Sequence, residues 1–152
     1  MESSFLLKST AFREGNTIPV KYTCDGDDVN PFLEIKGAPE GTVSFALVVD
    51  DPDAPRRGWV HWLVWNIEPN TQYLSEDHLP DDAVQGITSA GHAKYSGPCP
   101  PRGDKSHRYV FTLYALNAMP GLPAGADKAA LLAAMEGHIL GTATLAGFYQ
   151  RP

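Results

Sequence analysis

Cysteine, long apolar runs and positive charge are all scarce in this chain. Two cysteines, Cys24 and Cys99, among 152 residues are too few for a disulfide framework, and no CxxC spacing offers a zinc site. In a reducing cytosol both read as free thiols, although each lies in a loop and a bridge between them stays open. No stretch approaches the roughly 18 consecutive apolar residues that span a bilayer. Met1-Glu2-Ser3-Ser4-Phe5-Leu6-Leu7 lacks the basic start and long apolar core of a secretion signal, so the expected location is the cytoplasm. Lysine and arginine total 12 against 18 acids, a net charge of -6. That balance excludes a general nucleic-acid binder and disfavours avid attachment to anionic membrane, while leaving room for a local cationic pocket. Linkers, repeats and low-complexity segments are missing too. Residues 1–152 therefore read as a single domain, long enough to bury a full core.

Turn chemistry, by contrast, is abundant: 14 glycines and 13 prolines cut the chain into short runs. Phe5 to Phe12 reads as a half-buried strand, and Thr17 to Tyr22 as another extended run. The cluster Cys24-Asp25-Gly26-Asp27-Asp28-Val29-Asn30-Pro31 resembles a calcium loop at first sight. An EF-hand needs a longer alternation, a later Glu and flanking helices, so a solvated loop is the better reading. Pro31 to Ile35 begins a strand, and Gly37 to Gly41 turns into a run from Thr42 to Val49. In that run Val43, Phe45 and Leu47 share one face while Ala46 and Val48 share the other. Leu63-Val64-Trp65 and Val110 to Leu116 are likewise apolar on both faces, so these three strands belong inside a layered, mainly β structure. Asn70 to Ser96 reads as surface chain with a short strand or two. Gly97-Pro98-Cys99-Pro100-Pro101-Arg102-Gly103 must be a rigid loop, since proline removes donors and fixes φ. One helix is predicted, capped by Asp127, with Leu131, Met135 and Ile139 on one stripe and Gly141 as its stop. Ala143 to Tyr149 closes the chain as a strand.

The chemistry gathers at strand ends. Three acids, Asp50, Asp51 and Asp53, close the Thr42–Val49 run, and His61 opens the strand that follows. His107 and Tyr109 open a third, and by strand parity they face the same way. An acid beside an imidazole favours imidazolium or fixes its tautomer, and the outward nitrogen is then read as a donor. Two such histidines, the Tyr109 hydroxyl and loop N–H groups would make a small cavity of donors suited to phosphate, sulfate or carboxylate. Taken singly, each residue has a plainer role: Asp51 and Asp53 as turn formers, the histidines as strand ends, the tryptophans as packing. Their conjunction carries the functional reading. A phosphoester hydrolase using the His and Asp groups as acid and base, and a His/Asp site for zinc or manganese, are the alternatives. Against the hydrolase, no nucleophile elbow is present, and Ser106 faces away from His107 in a regular strand.

Asp51-Pro52-Asp53-Ala54-Pro55 followed by His61, and Gly97 to Gly103 followed by His107-Arg108-Tyr109, together resemble the two signatures of the phosphatidylethanolamine-binding proteins. This family includes the Raf kinase inhibitor protein. Tyr22-Thr23-Cys24-Asp25-Gly26 through Asn30-Pro31 is similar to its bacterial and archaeal branch. The resemblance implies an antiparallel β-sandwich, a large central sheet on a smaller one, with one or two short helices. It also implies a strand-end pocket for phosphate-like anions built from Asp51, Asp53, His61, Gly97, Pro98, Cys99, Pro100, His107 and Tyr109. Trp59 and Pro55 would wall it, the Ala54–Pro55 bond would be cis, and a backbone N–H near Cys99 would face the anion. The implied ligands are phosphoesters or carboxylate head groups without any cofactor. Modulation of a partner protein such as a kinase or protease, and homodimerisation, follow from the same likeness. The gating C-terminal helix of eukaryotic members is not expected, and Gly103-Asp104-Lys105-Ser106 departs from some members at the rim.

Overall fold

Strands apolar on both faces require cover on both sides, and the computed structural model, which describes residues 4–54 and 58–152, supplies it. The strands are β1 (Leu6–Lys8), β2 (Leu33–Lys36), β3 (Ser44–Asp51), β4 (Trp59–Ile67), β5 (Tyr73–Leu74), β6 (Val84–Gln85), β7 (His107–Leu116) and β8 (Ile139–Tyr149). Helix α1 spans Lys128–Met135, and a single 3-10 turn occupies Val20–Tyr22. Five strands form a sheet in the order β6-β4-β3-β7-β8, and three form a smaller one in the order β1-β2-β5. All the strand pairs within both sheets are antiparallel. The three strands expected at the centre, β4, β3 and β7, are the inner three of the large sheet.

Alternation sorts their side chains. Phe45, Leu47, Val49, Trp62, Val64 and Phe111 face the small sheet and pack with Leu7, Leu33, Ile35 and Leu74. Ala46, Val48, Leu63, Trp65 and Leu116 face the other way, onto Leu131 and Met135 of α1. Trp62 and Trp65 are both fully buried. Each contributes on the order of 4–6 kcal/mol of apolar burial, so both layers are needed to hold the central strands in place. Lys128 Nζ reaches Asp50 Oδ2 at 2.7 Å, tying the start of α1 to the back of β3. Asp50 is thereby assigned to the helix face and Asp51 to the opposite one.

Three local expectations are corrected. The Phe5–Phe12 strand pairs only over Leu6–Lys8, because Ser9 Oγ accepts the Ala11 N–H and bonds the Phe32 carbonyl, a side-chain turn that competes with the ladder. Thr17 to Tyr22 contributes one parallel bridge, Thr17 to Phe148, and then winds into the 3-10 turn after Pro19, which has no N–H to give a ladder. The helix starts as expected, with Asp127 Oδ1 accepting the Ala130 N–H at 2.9 Å, but it ends at Met135. Gly137, at φ 81°, takes the left-handed conformation that stops a helix, so Ile139 and Gly141 belong to β8.

Candidate functional site

The register of the large sheet puts the C-terminal end of β3, the start of β4 and the start of β7 side by side. Asp51 pairs with Trp59 across β3 and β4, and Asp50 pairs with Val110 across β3 and β7. Asp51, His61, His107 and Tyr109 consequently point to one face, and all four are buried. His107 stacks nearly parallel to the Tyr109 ring, with centroids 6.4 Å apart at 21°. His61 meets that same ring edge-on at 5.2 Å and 74°.

Each polar group is held. Asp51 Oδ2 lies 2.5 Å from His107 Nδ1, and its Oδ1 accepts the Asp53 N–H at 2.9 Å. The other nitrogen of His107, Nε2, meets Asp104 Oδ2 at 3.2 Å. With a carboxylate on each ring nitrogen, the charged form of His107 is favoured. Burial pushes its pKa down, but the bonds to Asp51 and Asp104 outweigh that and hold it above the ordinary value. His61 is different. Its Nδ1 lies 2.6 Å from the Ser96 carbonyl, an acceptor without charge, and burial lowers its pKa despite that carbonyl and the nearby Asp51. Burial, with Asp51 and Asp53 adding to it, raises the Tyr109 phenol far above its usual range, so its hydroxyl keeps its proton. The expectation that both outward imidazole nitrogens are donors is therefore corrected. The outward nitrogen of His107 is taken up by Asp104, and in the neutral ring that burial favours, that of His61 carries a lone pair.

A cavity of about 560 Å³ opens over these groups, within the range of small-ligand sites. Asp51, Trp59, His61, Gly97, Cys99, Pro100, His107 and Tyr109 all line it. Two expected members do not. Asp53 turns its carboxylate to the Arg108 N–H at 2.9 Å, stapling the β3 end to β7, and the Pro98 carbonyl accepts the Cys24 N–H at 3.1 Å. Pro55, the expected cis Ala54–Pro55 bond and that part of the wall lie outside the described residues. Lys94, His92, Asp28 and Ser96 also line the cavity and were not anticipated. The only signal for Asp104 was its place in a turn three residues before His107. Ser96 offered none, because its carbonyl reaches His61 across 35 residues of chain.

The proline-rich loop sits close to the Cys24 turn. A Cβ on Gly97 would lie 2.2 Å from the Tyr22 carbonyl, so only glycine lets the two backbones approach this closely. The Gly97 N–H is spent on Asp28 Oδ1 at 2.7 Å. Pro98, Pro100 and Pro101 have no N–H, which leaves the Cys99 amide as the loop's donor between them. Cys24 and Cys99 are joined by a disulfide, their Cα atoms 5.4 Å apart, which corrects the free-thiol reading. The reducing-cytosol premise behind that reading ignored how tightly the two loops pack. Arg151 Nη1 lies 3.6 Å from Cys99 Sγ, and its Nη2 pairs with Asp25 Oδ1 at 3.0 Å. Among the described residues, no group of three or more His, Cys, Asp and Glu side chains is arranged to hold a metal ion, and no helix is long and apolar enough to cross a membrane.

A family model described as phosphatidylethanolamine-binding protein matches residues 8–150. The chain belongs to the phosphatidylethanolamine-binding protein family. A relative named UPF0098 protein, from Methanothermobacter thermautotrophicus, is 47% identical over 150 residues, covering 95% of this chain and 98% of its own. Among solved structures, the phosphatidylethanolamine-binding protein homolog CT736 of Chlamydia trachomatis superposes with a TM-score of 0.92 at 40% identity. It covers 99% of this chain and 100% of that one. YbcL of Escherichia coli, described as a member of the mammalian family, gives a TM-score of 0.93 at 34% identity, covering 98% and 99%. These relatives are of the bacterial and archaeal type, and the phosphatidylethanolamine-binding fold is the mainly β, two-sheet architecture described above.

Proposed function

We propose that the cavity at the strand ends binds a small phosphate-like anion: a phosphoester, free phosphate or a carboxylate head group. The observation that carries this reading is the convergence of His107, His61 and Tyr109 on one cavity, with Asp51 anchoring His107 from below. Once a guest displaces Asp104 from its outer nitrogen, a charged His107 would donate strongly to an anion, and the Tyr109 hydroxyl, which keeps its proton, would add a neutral donor. The Cys99 amide adds another. The cavity volume suits a single head group or one phosphorylated side chain, and the family's name refers to a lipid bearing a phosphate. Occupancy by a phosphorylated group is how the domain would modulate a partner protein such as a kinase or protease.

Calorimetric titration with phenyl phosphate at pH 5.5 and pH 8 tests the reading. His107 loses its charge only as pH rises through its raised range, so binding is expected to be tighter at pH 5.5 than at pH 8. Equal affinity at the two values removes imidazolium from the account, and no binding at either removes the proposal. Sedimentation with phosphatidylcholine vesicles, with and without phosphatidylethanolamine, separates a lipid head group from a free phosphoester as the source of the anion.

A further inference from the structure

Building on the anion reading of this pocket, we infer that the site takes up its anion together with one proton, which Nε2 of His61 receives. The inference begins with the way His61 is anchored. Its Nδ1 is 2.6 Å from the Ser96 carbonyl, and its own carbonyl accepts the Ser96 N–H at 2.9 Å. A backbone carbonyl accepts and never titrates, so Nδ1 must carry the hydrogen at every pH. In the neutral ring Nε2 then holds a lone pair. His61 is 4% exposed and lines the cavity, so a guest oxygen seated against its outer nitrogen would meet that lone pair.

His107 is the opposite case. Both of its nitrogens donate to carboxylates, Asp51 and Asp104. The resting pocket therefore pairs an imidazole that accepts with an imidazolium that donates. An oxygen of a fully ionised guest cannot approach a bare lone pair favourably. Either the guest brings a hydrogen on that oxygen, as a phosphate monoester monoanion or a carboxylic acid does, or the ring gains one from solvent. The surroundings of His61 are balanced for the second outcome. From β3, Asp51 and Asp50 favour the charged ring, while burial opposes it. From β7 come the neutral Tyr109 phenol and the His107 cation. Lys94, His92 and Asp28 face the same cavity from the loops. A negative guest beside Nε2 adds the charge that tips the ring to imidazolium.

Sulfate is the probe that isolates the effect, because it carries no titrating proton between pH 5 and 9. Calorimetry at pH 7.5 in two buffers of different ionisation enthalpy is expected to show about one proton taken up per sulfate bound, and affinity should fall about tenfold per pH unit above neutrality. Nitrogen-15 NMR of the histidine rings identifies the receiver: Nε2 of His61 should be bare in the free protein and protonated at sulfate saturation. Sulfate binding without proton uptake overturns the inference and leaves the anion pocket standing. So does a proton that lands on another ring, or an Nε2 already protonated in the free protein. Absence of sulfate binding at pH 5.5 overturns both.

Discussion

Replacing Asp104 by alanine should strengthen anion binding. In the resting protein the Asp104 carboxylate occupies the outward nitrogen of His107 at 3.2 Å. It is kept there by its own loop: Gly103 N–H bonds the Arg151 carbonyl, Asp104 N–H bonds the Pro101 carbonyl, and Gln150 Nε2 bonds the Asp104 carbonyl. A guest that uses His107 must first displace this tethered carboxylate. A hydrogen bond to a charged group is worth about 1.5–3 kcal/mol. The Asp104 side chain is 49% exposed and its bond is long, so about 1 kcal/mol is the reasonable discount, roughly a fivefold change in affinity. Asp51 still holds His107 from the other side at 2.5 Å, so the imidazolium survives at acidic pH. The assay is calorimetric titration of wild type and Asp104→Ala with sulfate at pH 6, alongside a thermal melt. A roughly fivefold gain is expected, with a melting temperature lowered by no more than about 4 °C. Unchanged or weaker binding would refute the idea that Asp104 competes for the site.

The disulfide closes a separation of 75 residues, for which loop-closure entropy gives about 4 kcal/mol. Reduction should lower the melting temperature by on the order of 10 °C, and a melt unchanged by a phosphine reductant would show that the bond contributes nothing. His107 also predicts a pH dependence of stability. Its folded-state pKa is raised, so its contribution is fully present below the unfolded value near 6.5 and is lost as pH rises through the folded one. His61, lowered by burial, acts in the opposite sense, with stability present above its unfolded value and lost as pH falls. Urea midpoints of His107→Gln should therefore lack the wild-type decline above neutral pH, and parallel profiles for the two proteins would contradict this.

Much of the site was legible because β-strand parity is a strict rule. His107 and Tyr109 sit two residues apart, so one face had to receive both, and the apolar doubling of β3, β4 and β7 foretold their central place and hence the adjacency of their ends. Interactions between distant loops were beyond the same reasoning. Ser96 reaches His61, and Cys24 reaches Cys99, through approaches that depend on Gly97 and three prolines bending the chain, and nothing in either local stretch names its partner. Asp53 shows the converse error: its motif suggested the pocket, while the Arg108 N–H beside it offered a nearer acceptor role. The end of α1 was misplaced because a leucine, methionine and isoleucine stripe outweighed Gly137, although a left-handed glycine is the stronger signal. The free-thiol reading leaned on an expected cytoplasmic location, and the Cys24–Cys99 disulfide overturns that reading.

Crystallography of the protein with phenyl phosphate at pH 5.5 tests the central claim most directly. The account predicts a phosphoryl group hydrogen-bonded to His61 Nε2, the Tyr109 hydroxyl and His107, with the Asp104 carboxylate moved off the His107 ring. A pocket left empty while the ligand binds elsewhere, or a cation held between Asp51 and the histidines, would contradict it.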